Sequence, residues 1–91
     1  MSLTTEILPQ WLPLARAGIR GVSVQVLLTT DHLHLAQLSF QPNATIDEHD
    51  AAHPIDVICL EGSGYTSIGS QRLTLRAGEK IHWPAGQPHR L

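Results

Sequence analysis

The stretch from Gly78 to His89, GEKIHWPAGQPH, holds glycines, a proline and a histidine at the spacing G-x5-P-x-G-x2-H. Gly78 permits the positive backbone angle of a tight turn, and Lys80 to Trp83 read as a short strand. Pro84 ends that strand, and Gly86 re-aims the chain toward His89. A histidine delivered in this way can bind a metal, because imidazole is a good ligand for zinc, copper, iron and nickel. A second concentration of ligand-type side chains runs from Asp47 to His53 (DEHDAAH). On an extended strand Asp47 and His49 project from one face, and with His89 they would imitate a two-histidine, one-carboxylate triad. His53 shares the parity of His49, but four residues of strand separate the two by ~13 Å, so a common ion requires a bend at Asp50-Ala51-Ala52. A tight site needs about three protein ligands, so His49 and His89 alone do not suffice. No Ser-His-Asp spacing or phosphate loop suggests hydrolysis or nucleotide use.

The elements that must position these groups read as β-strands after one irregular entry. Residues 1–20 hold Pro9, Pro13 and Gly18, which predicts a strand or turn leading into a short helical piece around Trp11 to Ala17. Gly21 to Thr30 is β-branched and alternating, Asp31-His32 makes a turn, and Leu33 to Gln41 pairs back as a hairpin ended by Pro42-Asn43. Thr45 to His49 starts another strand, and Ile55 to Glu61 follows, closed by Gly62-Ser63-Gly64. Tyr65 to Ile68 and Arg72 to Arg76 form a hairpin around Gly69-Ser70. Short strands at this spacing, with glycine turns, predict a sandwich or barrel in one domain spanning 1–91.

The spacing from Gly78 to His89 resembles the second signature of the cupin barrels, in which the matching histidine points into the barrel. The first signature of that family is a glycine, five residues, His-x-His, three or four residues, Glu, six residues, Gly. Anchored on Gly62, it places its first histidine on His49, its second on Ala51 and its glutamate on Ile55, while Asn43 stands near its opening glycine. The resemblance covers Leu33 to Leu91 and implies an all-β cupin barrel or jelly roll. It implies a cavity lined by His49, His53 and His89, with Ile55, Val57, Cys59 and Trp83 as walls. The expected function is binding of a small organic ligand in that cavity. The alternative is a metal-dependent enzyme of dioxygenase, isomerase or decarboxylase type, with His49, His89 and either His53 or Asp47 holding a divalent zinc, iron, manganese, nickel or copper ion. The second signature continues in the family into further strands, so one or two strands are expected to be missing beyond Leu91.

The remaining candidates have plainer readings. His32 lies at a hairpin turn, and neither it nor His34 reads as a ligand. His82 alternates with Trp83, so one of the two faces inward. Asp56 points opposite to Ile55, and Cys59, the single cysteine, reads as a small buried residue. A chain of 91 residues buries roughly two thirds of its unfolded surface, so contacts with a partner would add to its stability. Six basic and eight acidic side chains, without a basic run, argue against nucleic acid. No apolar run approaches the ~18 residues that span a bilayer, and the expected location is cytoplasmic. Ile58 and Leu60 should face outward beside an unpaired sheet edge, which predicts a two-fold homodimer, with Ser2 to Leu8 crossing to the partner.

Overall fold

The computed structural model describes residues 3–91, so Ser2, at the start of the segment expected to cross to a partner, lies outside the described residues. The described chain is all-β. Its strands are β1 (Leu12–Pro13), β2 (Ile19–Thr29), β3 (His34–Ile46), β4 (Ile55–Ile58), β5 (Ser63–Ile68), β6 (Gln71–Arg76), β7 (Lys80–Trp83) and β8 (His89–Arg90). They form sheets of order β1-β2-β3, β4-β7 and β6-β5-β8, and among the described residues these sheets are not closed into the expected barrel. Contacts divide the chain into two compact units, Met1–Ala44 and Thr45–Leu91. Among the described residues no helix is long and apolar enough to cross a membrane.

In the first unit the helical piece expected around Trp11 to Ala17 is instead an edge strand and a turn. Leu12 stands opposite Val24 and Pro13 opposite Ser23, and the Leu14 amide donates to the Val22 carbonyl at 2.9 Å. Pro13 pushes Leu12 out of the helical region into extended backbone, and Gly18, at φ 80°, closes the turn into β2. The hairpin turn falls at Asp31-His32 as expected, with the His32 and Leu33 amides donating to Thr30 Oγ1. β3 then runs through Pro42 and Asn43 rather than ending there. Asn43 adopts φ 64°, so the strand kinks without breaking, and Gly21 on β2 leaves the room: a Cβ on Gly21 would stand 3.0 Å from that of Ala44.

The second unit positions the site. β5 and β6 pair from Ser63↔Arg76 to Ile68↔Gln71 around Gly69, which has φ 57°. β5 also pairs with β8 through Ser67↔Arg90 and Ile68↔His89. β8 is flanked on its other side by residues 46–49: Ile46 and Leu91 exchange backbone hydrogen bonds, as do His49 and His89. Two residues, Asp47 and Glu48, therefore oppose the single Arg90, which makes a β-bulge. β4 and β7 pair with Ile55 opposite Trp83, Asp56 opposite His82 and Val57 opposite Ile81. This register puts Ile55, Val57, Ile81 and Trp83 on one face and Asp56, Ile58, Lys80 and His82 on the other. Trp83, Leu75, Ile46, Thr45, Thr66 and His89 form the buried centre of the unit. Cys59 is half-buried beyond the end of β4, with its thiol directed at the Glu61 carbonyl at 3.4 Å, and so is not the enclosed core residue its apolar neighbours predicted.

Candidate functional site

His49 and His89, forty residues apart in sequence, meet because their backbones form a hydrogen-bonded antiparallel pair, which sends both side chains to one face. Their Nε2 atoms lie 3.1 Å apart, with ring centroids 4.4 Å apart and planes at 86°. The His89 ring stacks on the Trp83 indole at 4.0 Å and 14°, and His49 meets the same indole edge-on at 6.2 Å. Gly86, at φ 76°, turns the chain between β7 and β8 so that Trp83 and His89 can face each other. The Trp83 Nε1–H donates to Thr66 Oγ1 at 3.0 Å, and the Thr66 hydroxyl donates to the Arg90 carbonyl at 2.9 Å. This one hydroxyl joins the β4-β7 sheet to the β6-β5-β8 sheet.

The proton positions follow from the acceptors. His49 Nδ1 is 2.9 Å from the Asp47 carbonyl, which only accepts, so this nitrogen carries a proton. In neutral His49 the Nε2 is then a lone pair, and His89 Nε2–H must donate to it. His89 Nδ1 is buried and without a hydrogen-bond partner among the described residues. Burial, reinforced by the neighbouring His49, holds His89 below the usual histidine pKa, against smaller upward pulls from the Gln87 backbone and Asp50. The pair thus presents one stacked, neutral-favouring imidazole whose only donor is directed at its neighbour, and one imidazole, His49, that is exposed to solvent.

The other expected site residues do not converge here. Asp47 turns away: its Oδ1 lies 3.5 Å from Arg90 Nη2, because the bulge at 47–48 breaks the alternation that would have aligned it with His49. His53 is exposed, and among the described residues no three His, Cys, Asp or Glu side chains are grouped as metal ligands. The ligand set expected from His49, His53, His89 and Asp47 is therefore not assembled, and two imidazoles fall short of a three-ligand centre. Ile55 shares the face of Trp83 but is 37 % exposed, and Val57 is half-buried. Of the alternating pair, Trp83 faces inward. His82 faces outward, where its Nδ1–H donates to Asp56 Oδ1 at 2.9 Å. That hydrogen bond holds the Asp56 carboxyl below its usual range, with desolvation opposing it and the charge of Lys80 assisting. His34 is exposed and hydrogen-bonded to Thr29 Oγ1 at 3.2 Å.

A cleft of about 220 Å³ lies in the same unit, lined by Thr66, Leu73, Leu75, Glu79, Lys80 and Ile81. A second of about 370 Å³ lies in the first unit between residues 6–9 and 26–29, and neither is lined by His49, His53 or His89. Thr66 joins the first cleft to the site, since its hydroxyl carries the Trp83 hydrogen bond. Sequence reasoning missed Thr66. Its shared parity with the apolar Ile68 on one alternating strand was the available signal. No family model matches the chain, and no curated protein matches it.

Proposed function

We propose that the Thr45–Leu91 unit is a cupin-like β-fold that binds a small organic ligand through the exposed edge of the His49–His89 pair. The observation that carries this reading is the 3.1 Å Nε2···Nε2 contact, made by a histidine stacked on a buried tryptophan. Such a pair is held rigidly by its backbone bridge and its stack, so a ligand hydroxyl or carboxyl meets a preorganised imidazole edge at His49. His49 is the group a ligand reaches, because His89 is enclosed. His89 acts behind it: its Nε2–H donates to Nε2 of His49, a hydrogen bond that a ligand must share or displace. The metal-dependent enzyme, the other reading that the histidines invite, finds no third ligand among the described residues.

The test is a nuclear magnetic resonance titration of untagged protein with small carboxylic acids and polyols, observing the imidazole resonances. Saturable shifts at His49 and His89 are expected, and they should disappear in His49→Ala while Trp83 keeps its native fluorescence. Elemental analysis of the same material distinguishes the alternatives. Stoichiometric transition metal that is lost in His49→Ala would overturn the metal-free reading in favour of the enzyme.

A further inference from the structure

The side of the β6-β5-β8 sheet turned away from His89 carries a different set of groups. The register places Arg72 and Arg90 on either side of Ser67, both directly opposite it. Directly opposed residues project to one face, so two guanidinium groups and one hydroxyl share that face. Adjacent strands are ~4.8 Å apart, so the two arginine backbones stand ~10 Å apart, within reach of a common ion over Ser67. Arg72 is fixed by its neighbour: its guanidinium lies 4.2 Å over the centroid of the Tyr65 ring. Among the described residues it has no carboxylate within 4.0 Å. Arg90 has one contact, Nη2 to Asp47 at 3.5 Å, which leaves most of its donors available. Arg76, four residues from Arg72, adds a third positive charge on the same face.

We propose that this face binds a phosphoryl anion between Arg72 and Arg90, with the Ser67 hydroxyl as a further donor. Two guanidinium forks brought over Ser67 from its two flanking strands would suit a tetrahedral dianion, which offers three peripheral oxygens. A carboxylate is planar and has two oxygens, so one fork satisfies it and the second is left over. The site does not depend on the histidine pair, which lies on the reverse side of the sheet, and failure of either proposal leaves the other standing.

The experiment follows the arginine Nε–H resonances and the Ser67 amide of the full chain during titration with inorganic phosphate, with glycerol phosphate and with sodium chloride at matched ionic strength. Saturable shifts at Arg72, Arg90 and Ser67 are expected with both phosphates and not with chloride. Tighter binding of glycerol phosphate identifies an organic ester as the ligand, and equal binding identifies free phosphate. Arg72→Gln and Arg90→Gln should each weaken binding about tenfold, the loss of one charge-assisted hydrogen-bond pair, and Lys80→Gln on the other sheet should leave it unchanged. Arg72 lies on an edge strand, so Arg72→Gln decides the matter if Arg90→Gln disturbs folding. Shifts that fail to saturate and equal those with chloride, or wild-type affinity in Arg72→Gln, would overturn the proposal.

Discussion

Thr66 makes two hydrogen bonds with one hydroxyl and is 2 % exposed, so its removal isolates a buried indole N–H. Thr66→Val keeps the shape of the side chain and deletes the acceptor, and it should cost about 1–3 kcal/mol in urea unfolding. Adding Trp83→Phe removes the orphaned donor as well, so the double variant should lose less than the sum of the two single losses. Strict additivity would show that the hydroxyl and the indole are not coupled. His89 supplies a pH dependence. Its native pKa lies below the 6.5 of an ordinary histidine, so between the two values the unfolded chain binds more protons than the native one. Stability is therefore full above pH 6.5 and declines as the pH falls toward the depressed native value. Urea midpoints at pH 7.5 and 5.5 should show a lower value at pH 5.5, and His89→Gln should flatten the difference. A midpoint that rises on acidification would contradict the assignment of His89 as a buried neutral imidazole.

At the scale of the elements, alternation located most strands and misjudged the places where the backbone leaves regular geometry. Lys80 to Trp83 and the β5-β6 hairpin fall where glycine turns and period-two patterning put them. Two departures defeated the pattern. Asn43 takes a left-handed conformation inside β3, so Pro42-Asn43 kinks the strand where an end was expected. Gly21 makes that kink possible, having φ 69° and no room for a Cβ. Gly21→Ala should destabilise the chain by about 1–3 kcal/mol, combining left-handed strain with a 3.0 Å contact to Ala44 Cβ. A thermal midpoint unchanged in this variant would mean that β2 and β3 are not packed as described. The second departure is the bulge at 47–48, which reassigns Asp47 from the histidine face to Arg90.

For the whole molecule, the unresolved demand is the apolar surface. Ile58 and Leu60 are 58 % and 64 % exposed, as the alternation from Ile55 anticipated, and Leu73 is 52 % exposed at the rim of the cleft beside β6. Among the described residues β6 pairs only with β5, so its other edge has unpaired backbone groups there. A second copy of the chain would cover both features, and the prediction that follows is a homodimer in solution. Light scattering at tens of micromolar should give twice the chain mass, and Leu60→Lys should shift the population toward monomer. A monomer mass for the unaltered chain at that concentration would defeat this expectation.

By itself the sequence determined the class of structure and the identity of the meeting pair. Period-two alternation with β-branched residues and glycine turns pointed to strands from Gly21 onward, and the spacing from Gly78 to His89 singled out His89 as the histidine delivered by a turn. His49 emerged as its counterpart through the family resemblance. Tertiary structure decided what that pair became. Local patterning carries no information on a bulge one residue wide, and that bulge turned Asp47 outward and left two imidazoles without a third ligand. Nor does it reveal partners across strands: the Trp83 stack, the Thr66 hydroxyl linking two sheets and the Arg72–Ser67–Arg90 row all depend on registers set by pairings distant in sequence. Those registers arise from the summed packing of whole faces, a quantity that no single segment contains.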